Sequence, residues 1–189
     1  DSAGDRIYPT HGSVTSLLTE WAPSGFLSES HFVSFNATRA VYRPLIAGVI
    51  MATRLDLGVA VPTGTSTDLL PNKRFFAGGT TSMRGARRRK LGPQDDAGAP
   101  LGGEARLLAG LELRFPLIWR LRGALFADSG QVWARRQDFR WQDLELAIGP
   151  GLMVETVVGP IRADLGFNVT DRPAGEPRSV LHVSIGHPF

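Results

Sequence analysis

Apolar and polar residues alternate one by one along several stretches of this chain, and this period of two limits most strongly what the chain can fold into. Within residues 104–116, Leu111 and Leu113 fall on one face of an extended segment and Glu112 falls on the other. Residues 160–169 repeat the pattern. Such alternation predicts β-strands that are apolar on one face and polar on the other.

The same reading along the whole chain predicts an all-β protein that needs no helix. Arg39 interrupts the apolar face of the second strand, and the other faces are more regular. The eight strands are predicted at residues 12–22, 31–45, 47–60, 104–116, 120–133, 143–157, 160–169 and 179–189.

Alternation alone fits both a soluble sandwich and a transmembrane barrel, but the connections separate the two. Short turns on one rim and long loops on the other are typical of outer-membrane barrels. Tryptophans near the predicted strand ends would then form interfacial belts, with Trp21, Trp133 and Trp141 at long loops and Trp119 at a short turn. From the C-terminus backwards, the connections are residues 170–178 (long), 157–160 (short), 134–142 (long), 116–119 (short), 61–103 (very long), 44–47 (short) and 23–30 (long).

Length and composition further restrict the number of domains and the class of protein. A chain of 189 residues with 42% hydrophobic residues suits one domain, predicted over residues 1–189. It has no apolar run of the roughly 18 to 20 residues that a membrane helix needs. It has no cysteine, which excludes disulfides and thiolate chemistry. The N-terminal residues do not form a signal-peptide pattern, so we expect a processed form or a fragment.

Patterns that would indicate catalysis or ligand binding are missing from the sequence. His11, His31, His182 and His187 have no metal-ligand spacing, and no nucleophile-elbow, zinc-protease or phosphate-loop motif occurs. The net charge of +3 is modest. Residues 87–90 (RRRK) carry more positive charge than this whole excess, so the basic character is confined to one segment. We therefore predict no enzymatic activity, no metal, no cofactor and no nucleic-acid partner.

Residues 74–85 read RFFAGGTTSMRG, in which a glycine pair precedes an Arg-Gly dipeptide. Together with several other segments, they resemble the BamA/TamA superfamily of outer-membrane assembly barrels, TamA more than BamA, although Ala86 stands where the family has an aromatic residue. The resemblance covers nearly the whole chain and also rests on residues 8–12 (YPTHG), 123–130 (GALFADSG), 159–165 (GPIRADL) and 182–189 (HVSIGHPF).

The resemblance implies that residues 61–103 fold back into the lumen of a sixteen-stranded barrel. Gly78, Gly79 and Gly85 would let this loop bend tightly, and Arg84 would reach the lumenal wall. Glu112 and Asp128 have the lumen-facing parity there, and a guanidinium can engage two carboxylates through its forked donors. The alternative is that Arg84 is a solvated loop residue beside ordinary lumenal charges.

The chain ending also resembles the signal that outer-membrane barrels present to the assembly machinery. By that resemblance Val183, Ile185 and Phe189 would carry the signal. The basic residues 87–90 have three open interpretations: contact with anionic lipopolysaccharide, contacts within the loop, or a solvated face.

A closed barrel of eight strands is filled by its own side chains and could not also hold the long loop. The remaining wall would come from a missing N-terminal half, a partner chain or a second copy. Two functions stay open. The first is an assembly or translocation barrel of the bacterial outer membrane, with membrane lipid, lipopolysaccharide and client outer-membrane proteins as partners. The second is a structural or passive-pore barrel, or the anchor of a secreted passenger domain.

Overall fold

The computed structural model of the chain describes residues 9–23, 31–64, 66–154, 156, 160–170 and 176–185. Its centre is one antiparallel sheet in which the strands follow each other in chain order, each paired with the next. The strands are β1 (Gly12–Ala22), β2 (Phe32–Pro44), β3 (Ile50–Pro62), β4 (Ala105–Ile118), β5 (Leu121–Trp133), β6 (Glu145–Val154), β7 (Ile161–Asn168) and β8 (Ser179–Ile185).

The predicted all-β fold is confirmed, and so is the order of long and short connections. Within the described ranges the only helices are three short 3-10 turns, all of them in loops. Across the same ranges, no helix has the length and apolar character that a membrane crossing requires. β1 and β8 stand at the two ends of the sheet, and their described residues do not pair with each other.

The two faces of the sheet differ sharply in composition. Along β6, odd-numbered residues from Glu145 to Met153 are buried and even-numbered residues are exposed. The strand registers carry this alternation across the sheet, so that Glu112 of β4, Phe126 of β5 and Gly149 of β6 share the buried inner face. The outer face carries exposed apolar side chains, including Leu111. This arrangement is that of a barrel wall with lipid outside and polar groups inside.

The strand ends differ from the predicted ones by a few residues where the turns carry apolar side chains. β3 was expected from residue 47, but it begins at Ile50 because Ala47 and Gly48 adopt positive φ angles of 54° and 74°. These two residues turn the chain, so the apolar pattern there belongs to the connection and not to the strand. Arg39 lies exposed on the outer face of β2, where its parity placed it.

One expectation about the tryptophans was wrong. Trp21, Trp119 and Trp141 are exposed as a belt requires, but Trp133 is only 4% exposed. Its ring lies 4.6 Å from that of Phe139, and its indole N–H donates to Asp143 over 3.1 Å. The loop after β5 thus folds back over the end of the sheet and covers Trp133. Sequence parity could not show this, because it does not report where a loop packs.

The orientation of the sheet predicts how it responds to a charge. Leu111→Lys places an ammonium on the outer face, and we expect it to lower the free energy of unfolding by about 2 to 4 kcal/mol in lipid. Ser16→Lys places the same charge on the inner face of β1 and should cost much less. Urea titration of the full-length protein in phospholipid vesicles measures both changes. Equal losses would mean that the outer face does not contact lipid.

Candidate functional site

The connection between β3 and β4 lies against the inner face of the sheet and is held in shape by its own backbone. Gly79 N–H donates to the carbonyls of Met83 (3.1 Å) and Ala86 (3.0 Å), which closes a tight turn. Gly78 precedes this turn with φ +107°, and a Cβ there would lie 2.3 Å from the Arg87 carbonyl oxygen. Only glycine fits this position, because both the backbone conformation and the space exclude a side chain.

The tip of this turn sits directly on the wall. A Cβ at Gly85 would lie 2.3 Å from both the Ala147 Cβ and the Asn168 Oδ1, so the loop backbone lies closer to these two side chains than any side chain at position 85 would allow. The Asn168 side-chain amide donates to the Gly85 carbonyl over 2.6 Å. The His182 Nε2 lies 2.9 Å from the Arg84 carbonyl oxygen. β6, β7 and β8 therefore all contact the loop tip.

Arg84 projects from this tip into the wall and is only 1% exposed. Its Nε and Nη2 donate to the two carboxylate oxygens of Asp128, each over 2.7 Å, and its backbone N–H donates to the same carboxylate over 3.1 Å. Its Nη1 donates to Glu112. The guanidinium also stacks 3.7 Å from the ring centre of Phe126. Paired carboxylates and an aromatic face suit a planar, forked cation and would not suit an ammonium equally well.

The charge of Arg84 is stable in this position. Burial alone would favour the neutral form, but the hydrogen bonds that Arg84 donates to Asp128 and the nearby negative charges outweigh it. The pKa of Arg84 is consequently raised above its ordinary value.

Glu112 joins the loop to further cations of the wall. Besides Arg84, it accepts hydrogen bonds from Arg114 Nε over 2.7 Å and from Arg162 Nη1 and Nη2 over 3.0 and 2.8 Å. Arg162 in turn binds Asp164 through bonds of 2.6 and 2.7 Å. The six residues of this group, which we call the ion cluster, carry equal numbers of positive and negative charges: Arg84, Arg114, Arg162, Glu112, Asp128 and Asp164.

A further inward arginine of the wall binds the loop just before its tip. Arg54 of β3 donates to the carbonyls of Thr81 and, over 2.9 Å, of Ser82. An apolar cluster surrounds the tip, and Ala86, at the position where the resemblance implied an aromatic residue, is fully buried in it. The apolar cluster consists of Ala77, Met83, Ala86, Leu91, Leu108, Val132 and Ala147.

The structure brings the predicted residues Arg84, Glu112 and Asp128 into direct contact, with Gly78, Gly79 and Gly85 shaping the loop around them. Sequence reasoning missed Arg114, Arg162 and Asp164 as members of the same group. The signal was present, because each has the inward parity of its strand. Parity alone does not say which inward charges meet, since that depends on strand tilt and register.

The remaining predicted residues lie elsewhere. Val183 and Ile185 are exposed on the outer face of β8, and Phe189 falls outside the described residues. In the basic run, Arg89 lies 4.6 Å from the ring centre of Phe76, and Lys90 donates to the Gly98 carbonyl. Contacts within the loop therefore account for these two cations.

This combination of a one-sheet wall and an inward loop seated on buried charges agrees with comparison to known proteins. The model of the Omp85 superfamily domain matches residues 1–189. The chain belongs to the Omp85 superfamily. The expected resemblance to assembly barrels is thereby confirmed at the level of the family.

Named relatives of this Omp85 chain come from bacteria and animals. It is 24% identical over 187 residues to the outer membrane protein assembly factor BamA of Nitratidesulfovibrio vulgaris, covering 95% of this chain and 23% of that protein. It is 28% identical over 190 residues to the sorting and assembly machinery component 50 homolog A of Xenopus laevis, covering 98% of this chain and 39% of that protein. The chain thus spans less than half the length of these relatives.

A solved structure shares the fold. The crystal structure of BamA from Haemophilus ducreyi lacking POTRA domains 1–3 superposes with a TM-score of 0.78 at 19% identity. The match covers 98% of this chain and 39% of that one. The eight strands therefore have the arrangement of part of a BamA barrel.

The ion cluster predicts an uneven response to mutation. Arg84→Ala leaves Glu112 with Arg114 and Arg162, whereas Asp128 loses the side-chain cation that binds it. We expect a loss of about 3 to 5 kcal/mol in the free energy of unfolding, mostly because Asp128 loses its hydrogen-bonded cation. Arg84→Lys should recover little, because an ammonium lacks the fork.

A double-mutant cycle separates the contributions, using urea unfolding of the full-length protein in vesicles. The coupling of Arg84→Ala with Asp128→Asn should exceed its coupling with Glu112→Gln. Strict additivity in both cycles would mean that Arg84 contributes no specific interaction to stability.

Proposed function

We propose that this chain forms the C-terminal half of a sixteen-stranded outer-membrane barrel that helps to insert or export client outer-membrane proteins. The observation that carries the proposal is the seating of the long loop, residues 61–103, on a buried charge cluster at the inner face of an unclosed sheet. A loop of this size needs a wider lumen than eight strands enclose. Further strands would therefore complete the wall, from the rest of the same protein, from a partner chain or from a second copy.

The edges of the sheet support an assembly role. A strand edge in lipid exposes backbone N–H and C=O groups that must find partners, and a client strand can supply them by β-augmentation. β8 carries exposed Val183 and Ile185 beside such an edge, with the inward His182 in contact with the loop tip. The work is done by pairing and release of strands, so we propose no catalytic residue and no cofactor.

The loop argues against the alternative of a passive pore. Its tip is packed on the wall through Gly85, and Arg84 is held there by two carboxylates. A segment fixed in this way occupies the inner space through which a solute would have to pass. We propose the bacterial outer membrane as the location, since the relative from Nitratidesulfovibrio vulgaris is an outer membrane protein assembly factor. Lipopolysaccharide and phospholipid would surround the outer face.

The function can be tested with the full-length protein in proteoliposomes that receive an unfolded outer-membrane protein as client. We expect the wild type to accelerate client insertion, and Arg84→Ala to slow it several-fold while folding of the protein itself proceeds. Arg140→Ala removes an exposed arginine from a different loop and serves as the matched control. If the Arg84→Ala and Arg140→Ala variants inserted the client at the same rate, the contact of Arg84 with the wall would not be required for insertion. Insertion no faster than in empty vesicles would reject the function itself.

The completed wall can be tested separately, because the chain has no cysteine of its own. Leu17→Cys on β1 and Val183→Cys on β8, each labelled with a thiol-reactive photo-crosslinker, should crosslink to strands outside residues 12–185 and not to each other. A disulfide between the two unlabelled cysteines within one monomer would demonstrate a small closed barrel, which would exclude the proposed sixteen-stranded wall.

A further inference from the structure

The outer face of the sheet carries a localised positive charge. Among the described strand residues, every charged side chain lies on the inner face except Arg39 and Arg43, which are exposed on the outer face of β2. The two arginines are four residues apart and lie on the same face of the strand, about 13 Å from each other along it. No described acidic strand residue faces outward, and neither guanidinium has an ion-pair or hydrogen-bond partner in the described part of the chain.

Hydroxyl groups lie beside the two arginines on the neighbouring strands. Arg39 pairs with Thr15 of β1, and the next outward row places Ser13 and Thr53 on either side of Val41. Elsewhere the outer face is almost wholly apolar at mid-strand. These positions therefore form a polar patch on the outer face of β1 to β3.

Apolar surface lies on both sides of this patch along the strand direction. On the side of the long loops, Phe35 is 45% exposed on the same face of β2. On the side of the short turns, Ile46 is 85% exposed just beyond Pro44. The two arginines thus lie within the apolar band of the outer face and not beyond its edge at the short turns. With a typical strand tilt near 40°, Arg39 lies about 10 Å closer to the middle of the bilayer than Arg43.

A lipid-facing arginine in such a band is unfavourable unless an anion reaches it. Long side chains near the rim extend toward the headgroups, and this brings Arg39 toward the level of Arg43. A guanidinium fork matches the oxygens of a phosphate, and neighbouring hydroxyls can complete its hydrogen bonds. Lipid is what contacts the outer face of a barrel wall, so the anion available there is a headgroup phosphate.

We propose that Arg39 and Arg43, with Thr15 and Thr53, bind the phosphate of an anionic phospholipid in the leaflet at the short-turn rim. The site draws one headgroup inward along β2. It is separate from the ion cluster, which lies on the opposite face of the sheet, and it does not depend on the assembly function.

Native mass spectrometry of the full-length protein, released from detergent with dimyristoyl-phosphatidylglycerol added, tests the site. Arg39→Gln with Arg43→Gln should weaken phosphatidylglycerol binding about tenfold or more, as expected for lost charge-assisted hydrogen bonds. The matched control, Arg135→Gln with Arg140→Gln, removes two exposed loop charges and should change binding less than about twofold. Dimyristoylglycerol, which has the same chains and no phosphate, should bind weakly to every variant.

Two results would overturn the proposal. One is equal loss of phosphatidylglycerol in the test and control pairs, which would indicate a general charge effect. The other is equal binding of dimyristoylglycerol and phosphatidylglycerol to the wild type, which would indicate recognition of the chains alone.

A photo-crosslinking residue at Val41, between the two arginines, identifies the occupant in native membranes. Adducts of phospholipid mass are expected. A protein adduct that disappears in the Arg39→Gln, Arg43→Gln variant would mean that the patch binds an acidic partner protein, and the phospholipid site would be rejected.

Discussion

A carboxylate buried in the wall of this sheet needs positive charge close by, and Glu112 obtains it from three arginines on three different segments. Arg114 comes from the same strand, Arg162 from β7 and Arg84 from the long loop. Because an uncompensated charge is costly away from water, the segments that carry these arginines are constrained together. The loop position, the register of β4 against β5 to β7 and the inward orientation of each strand all serve this one requirement.

The sheet separates two environments, and the side chains on each face follow from that separation. Inside, charged side chains pair with each other and with the loop backbone, as Arg54 shows by binding the Thr81 and Ser82 carbonyls. Outside, most side chains are apolar and meet lipid, and Arg39 and Arg43 are the charged residues among the described strands that face outward. A single strand can meet both demands because its side chains alternate with a period of two.

Much of this architecture could be predicted from the sequence, and the reason is physical. Alternation in β4 and β7 fixes which residues face inward, and the spacing of polar connections fixes where the strands end to within a few residues. Arg84, Glu112 and Asp128 could be connected only through the family resemblance, since nothing local relates a loop tip to a wall 28 or 44 residues away. Arg162 and the burial of Trp133 were missed because tilt and loop packing decide them, and neither leaves a periodic trace in the sequence.

The seating of the loop tip also sets an order for folding. Asn168 and His182, which contact Gly85 and Arg84, lie 83 and 98 residues further along the chain. Contacts of such long sequence separation form late, because the chain between them must first be ordered. The tip can be fully seated only when β7 and β8 are in place. The loop tip can therefore make all of its contacts only after the last strands have been added. In an incompletely built wall, the tip at Gly85 and Arg84 would lack its contacts with Asn168 and His182.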